Sequence, residues 1–203
     1  MSINLPRVIG LYGYAGSGKD TVGHILEALK GYARAAYADP LRQAAEEINP
    51  YIPEPLDTGA PHGWLRGLIK RHGWRGAKDG NPWVREFLAN LGNSIRDLDP
   101  DFWVRLAEER IRWLLVDSPG VTVTDVRFPN EYESIKRLGG VMARVIRPGC
   151  NPANEIDNLL DDYEFDSQIL NDGSLHDLRD AVLNGMPAEV EMVHELRRKE
   201  MSA

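Results

Sequence analysis

The chain has 203 residues, 42% of them hydrophobic, which suits one domain with a sizeable core. Acidic residues outnumber basic ones 31 to 24, and a net charge of −7 argues against wrapping a nucleic-acid polymer, which needs many phosphate-neutralising side chains on one face. Cys150 is the only cysteine, so an internal disulfide is excluded; with no apolar run near the roughly 20 residues that span a bilayer and no secretory leader, a cytoplasmic protein off the membrane is expected.

In chain order, the apolar run Val8 to Tyr12 predicts a strand that passes directly into Gly13-Tyr14-Ala15-Gly16-Ser17-Gly18-Lys19-Asp20-Thr21. Val22, Ile25, Leu26 and Leu29 then recur at helical spacing, which predicts a helix over 19–30. Strand, glycine-rich loop and helix together make a phosphate-binding P-loop: the glycines let the backbone turn its N–H groups onto an anion, and Lys19 reaches the phosphates. Gly13, Ala15, Gly16, Ser17, Gly18, Lys19, Asp20 and Thr21 are the expected donor-binding residues. Asp20 stands where most P-loops carry a hydroxyl metal ligand. It is the candidate magnesium ligand, and its place in the first helical turn also suits the helix dipole; the two roles are compatible.

A short strand is expected over 35–38 and a helix over 41–48, followed by a loop punctuated by Pro50, Pro53, Pro55, Gly59, Pro61 and Gly63. Helices are expected near 63–72, 83–95 and 101–116. This region carries Arg66, Lys70, Arg71, Arg75, Lys78 and Arg85, a basic stretch suited either to a phosphate monoester or to a solvated helix face. Trp103 belongs either to the core or to a base-stacking surface.

Val121 to Asp125 predicts a strand closing on a carboxylate, with Arg127 and Glu131 just beyond it, and the next helix runs over 130–138. A strand over 141–146 leads to Arg147, which could face a migrating phosphoryl group. The acid-rich stretch 148–163 reads as a solvated, mobile, lid-like segment. A last strand over 166–170 precedes helices near 175–183 and 188–201. Strands alternating with helices imply a mostly parallel, five-stranded sheet with helices on both faces and ligands at the carboxyl ends of the strands.

The chain resembles the bacteriophage-type deoxynucleoside monophosphate kinases, P-loop kinases similar in fold to adenylate kinase. The likeness rests on Gly16-Ser17-Gly18-Lys19-Asp20-Thr21, Tyr37-Ala38-Asp39-Pro40-Leu41, Leu91-Gly92 with Arg96, Asp101-Phe102-Trp103, Asp125 through Glu131, and Asn171-Asp172-Gly173. It implies one P-loop kinase domain over 1–203 with a helical acceptor-binding insertion over 50–100. It also implies ATP and Mg²⁺ at the P-loop, with Asn171 and Gly173 at the ATP site, and a deoxynucleoside monophosphate held by Arg85, Arg96, Trp103, Asp125 and Arg127. Lys19, Arg127 and Arg147 are then the catalytic candidates. A phage-encoded enzyme would work in the host cytoplasm; the oligomeric state, a homodimer included, stays open. Two rivals stand beside this reading: a P-loop kinase of another small phosphate or hydroxyl compound, and a regulatory nucleotide-binding ATPase with no acceptor.

Overall fold

The computed structural model describes residues 5–55 and 58–186; the helix expected near 188–201 lies outside them. The chain divides into two compact units, Met1–Tyr37 with Ala107–Ala203, and Ala38–Leu106.

The first unit is built on strands β1 (Val8–Tyr12), β2 (Ala33–Ala35), β5 (Val121–Val123), β6 (Val141–Ile146) and β7 (Ser167–Leu170). They lie in the order β2-β5-β1-β6-β7, and every neighbouring pair is parallel. A parallel sheet is covered on both faces, so its central strand reads as an unbroken apolar run: all of Val8–Tyr12 is buried. On one face Ile9, Leu11, Ala143, Val145 and Ile169 pack with Val22, Ile25 and Leu26 of helix α1 (Lys19–Lys30) and with Leu178 and Val182 of helix α7 (Leu175–Gly185). On the other face helix α6 (Pro129–Arg137) comes so close that a Cβ on Gly10 would stand 2.9 Å from Ile135 Cγ1.

The expected strand over 35–38 is shifted to Ala33–Ala35. The pairing runs only from Ala33 opposite Val121 to Ala35 opposite Val123. Beyond it the Tyr37 N–H leaves the ladder and donates to the Asp125 carboxylate at 2.7 Å, which ends the strand.

The second unit holds α2 (Ala38–Ile48), a hairpin of β3 (Tyr51–Ile52) and β4 (Gly63–Trp64), α3 (Leu65–Gly80) and α4 (Pro82–Leu98). Helix α5 (Phe102–Asp117) starts in this unit and ends in the first. The hairpin falls inside the proline-punctuated stretch read as loop. Helix α3 runs on past the expected end at 72, broken at Gly73, whose φ of 66° and ψ of 171° interrupt the helical backbone. Asn81 then joins the pieces: its Oδ1 accepts the Trp83 N–H at the start of α4, and its Nδ2 donates to the carbonyls of Pro53 and Pro61, each at 2.9 Å.

Candidate active site

The P-loop leaves the carboxyl end of β1 and enters α1 through Gly18, whose φ of 104° and ψ of 14° put it in the left-handed region. A Cβ there would lie 2.5 Å from the Asn171 amide nitrogen. That nitrogen donates to the Ser17 carbonyl at 2.8 Å, and the Asn171 N–H donates to Ile146 at 2.8 Å, so the turn after β7 is fastened to the loop. Gly13 is as crowded, because its missing Cβ would strike the Val145 carbonyl and approach Ser17 Oγ. No side chain caps α1, so its first N–H groups, with the positive end of the helix dipole, face the loop's mouth.

Lys19 folds back over this cradle. Its Nζ donates to the carbonyls of Gly13 and Tyr14, the latter at 2.9 Å. Burial lowers its pKa from the usual lysine value, and the nearby Arg127 guanidinium pushes the same way, while Asp20, Asp157 and Asp125 oppose. Asp125 and Arg127, far from Lys19 in the chain, thus lie within electrostatic reach of it, as does its neighbour Asp20. Asp20 is exposed on the first turn of α1. Arg127 is exposed as well, and its backbone is fixed by Glu131, whose buried Oε2 accepts the N–H groups of Arg127 at 2.7 Å and Phe128 at 3.1 Å.

On the other side of the loop Arg147 Nη1 donates to the Gly16 carbonyl at 3.4 Å. A cavity of about 140 Å³ opens there, lined among others by Tyr14, Ser17, Arg144, Arg147 and Cys150. Ser17 Oγ is buried and has no hydrogen-bond partner among the described residues. A phosphate oxygen suits such a group, and with the glycine cradle and the Lys19 ammonium the loop fits a nucleotide phosphate chain. Among the described residues no three His, Cys, Asp or Glu side chains gather as a metal cage. Such a set fits a magnesium ion that is held mainly by phosphates and needs only one or two protein carboxylates.

Most of the segment 148–163 is exposed, as its composition predicts, but it is anchored near its end. Leu160 is buried, and the Asp161 carboxylate accepts from Tyr12, Tyr14 and Arg144. Tyr12, Tyr14, Asp157, Asp161 and the positioning role of Glu131 escaped the sequence reading; the only signal was the acidity of the stretch.

In the second unit, Arg85 is paired with Asp79 and donates to the Lys78 carbonyl at 2.9 Å, and Arg96 donates to Asn93 at 3.1 Å. Of the two readings of Trp103, core or base-stacking surface, the structure shows the core: the residue is 4% exposed, its indole N–H donates to Gly92 at 3.2 Å, and Phe102 packs edge-on against it. The ring is enclosed by packing and presents no open face to a base.

A glycine-cradled loop with its lysine, at the carboxyl end of the central strand of this parallel sheet, defines a nucleotide-binding domain of the P-loop kinase fold. No protein-family profile matches the chain. It is 30% identical over 149 residues, 70% of this chain and 75% of the other, to a protein of Acanthamoeba polyphaga mimivirus named provisionally as a deoxynucleotide monophosphate kinase. The chain belongs to the family of that protein, the deoxynucleotide monophosphate kinases.

A second relative, the uncharacterised protein ORF77 of Ictalurid herpesvirus 1 (strain Auburn), is 33% identical over 136 residues. That match takes in 62% of this chain and 58% of the herpesvirus protein. Both relatives are viral, and neither comes from a bacteriophage. Among solved structures, the dephospho-CoA kinase of Campylobacter jejuni aligns over 96% of this chain and 98% of its own at 14% identity, with a TM-score of 0.46. Thermus thermophilus TT1252 aligns over 88% and 95% at 17% identity, with a TM-score of 0.45.

Proposed function

We propose that the chain transfers the γ-phosphoryl group of ATP to the phosphate of a deoxynucleoside 5′-monophosphate, giving ADP and the deoxynucleoside diphosphate. The observation that carries this reading is the glycine-cradled loop with Lys19 folded back over it at the carboxyl end of the central strand. Kinship with the mimivirus protein supports the acceptor class.

Phosphoryl transfer asks little covalent chemistry of the protein; it asks for alignment and for charge where charge develops. The loop amides and the first turn of α1 hold the donor's phosphate chain. Lys19 exchanges its two carbonyl acceptors for phosphate oxygens. Arg127, its backbone held rigid by Glu131, neutralises the migrating group and the acceptor phosphate, and Arg147 does so from the loop's other flank. Asp20 would hold a magnesium ion that arrives with the donor, and the ion would supply charge neutralisation there. Asn171 and Gly173 border the nucleoside end of the donor.

An acceptor phosphate is already anionic near neutral pH and needs no general base. Asp125 is engaged with the Tyr37 N–H, which suits a positioning role over that of a free base. The test supplies ATP and magnesium with deoxynucleosides, their 5′-monophosphates and other small phosphate compounds, and follows ADP release and products chromatographically. Diphosphates formed from deoxynucleoside monophosphates are expected. Phosphorylation of nucleosides alone would favour a hydroxyl acceptor, and ADP release indifferent to any acceptor would favour a regulatory ATPase.

A further inference from the structure

A dense polar cluster in the first unit lies outside the residues assigned to donor and acceptor. The Asp161 carboxylate sits at its centre. Oδ1 accepts from the Tyr12 hydroxyl at 2.7 Å and from Arg144 Nη2 at 2.7 Å; Oδ2 accepts from the Tyr14 hydroxyl at 2.6 Å. The Tyr12 hydroxyl also lies 2.6 Å from the Asp157 carbonyl, and Arg144 Nη1 donates to the Asp161 carbonyl at 3.2 Å. Arg144 stands over the rings of Tyr12 and Phe165, 5.5 and 5.8 Å from their centroids. Burial raises the Asp161 pKa, but hydrogen bonds from Tyr14 and Tyr12 and the Arg144 charge more than reverse this, so its pKa falls below the ordinary aspartate value.

Tyr14 is the member that matters for function, because it belongs to the P-loop itself. Its carbonyl accepts from the Ser17 N–H at 3.1 Å and from Lys19 Nζ, while its phenol is tied to Asp161. In the free protein the Tyr14 end of the loop is thus held at both ends, by Lys19 on the backbone and by Asp161 on the side chain. When Lys19 turns to a phosphate chain the first of these ties is given up. The second remains, beside the Asn171 tie at the Ser17 carbonyl, and it is the one that reaches the loop from the 148–163 segment.

We propose that Asp161 is a positioning residue for the donor site: through the Tyr14 hydroxyl it preorganises the P-loop and couples the 148–163 segment to nucleotide binding. This rests on the donor reading above, that the loop binds ATP. The coupling runs both ways, as linkage requires: a ligand held better by the ordered loop also favours the ordered segment.

Tyr14→Phe removes only the hydroxyl of a half-buried ring, and Asp161→Asn removes the charge while keeping an acceptor. In the free protein, both variants should speed amide exchange over residues 13–18. By calorimetry with magnesium, each should weaken ATP binding by roughly tenfold, the scale of one hydrogen bond to a charged group. The KM for ATP should rise with little change in the acceptor KM, and Tyr14→Phe should leave the melting temperature near the parent value. The double variant should be no weaker for ATP than Asp161→Asn alone, since both act through one contact. Unchanged exchange and ATP affinity in Tyr14→Phe, with the parent binding ATP normally, would overturn this proposal and leave the kinase reading standing; independent, multiplying effects would also overturn it. If the parent chain binds no ATP, the donor reading fails and takes this coupling with it.

Discussion

At the scale of single residues, Lys19 and Arg127 make separable demands. Lys19→Ala removes the ammonium proposed to meet the donor phosphates, and the loss of one preorganised donor to developing charge costs on the order of 10²- to 10³-fold in rate. The expected result is that loss in kcat with the circular dichroism spectrum and melting temperature retained. Arg127 faces outward beyond β5, so Arg127→Ala should raise the acceptor KM more than the ATP KM; a rise confined to ATP would put the acceptor elsewhere. The loop itself was readable from sequence because strand, glycines, lysine and helix are contiguous in the chain. The Tyr14 bond to Asp161 joins residues 147 apart and had no local signature. For Trp103 residue type left core and stacking surface both open, and packing decides for the core.

At the scale of elements, α6 holds Arg127 in place by its own first turn. The Glu131 carboxylate accepts two part-buried amides that precede the helix, so removing it takes an acceptor from both. Glu131→Ala should cost about 1–3 kcal/mol of stability in denaturant unfolding and lower kcat. Glu131→Gln, which keeps an acceptor, should recover most of both. The elements with long apolar periodicity, β1, α1, β6 and α7, were legible in the sequence because helix and strand periods extend over several residues. The β3–β4 hairpin was not, since strands of two residues carry no period. The continuation of α3 was hidden as well, because Gly73, Gly76 and Gly80 lower helix propensity where tertiary packing restores it.

At the scale of the whole molecule, acid stability is set by carboxylates that the fold holds ionised. Glu108 is buried; burial raises its pKa, yet hydrogen bonds from Ser134, Arg137 and Arg112 bring it below its ordinary value of 4.5. Asp161 is lowered in the same sense. A carboxyl depressed on folding contributes stability that is fully present above its unfolded pKa and is lost as pH falls through the folded value. The melting temperature should therefore decline as pH drops below about 4.5, and Glu108→Gln should flatten that decline while lowering the plateau at neutral pH.

The order of the strands also fixes when the phosphate cradle comes into being during synthesis. Strand β1 is made first, yet its partners are residues 121–123 on one side and 141–144 on the other. Its loop is fastened only once Asn171 arrives. A nascent chain released from the ribosome before Val141 has one edge of β1 bare, an unpaired apolar strand open to other chains. Closing contacts across more than a hundred residues is slow, so this chain spends an appreciable part of its birth with its most aggregation-prone strand exposed. With the loop taking ATP as proposed, retention on immobilised ATP should separate chains that extend past Asn171 and have folded from those that stop before Val141.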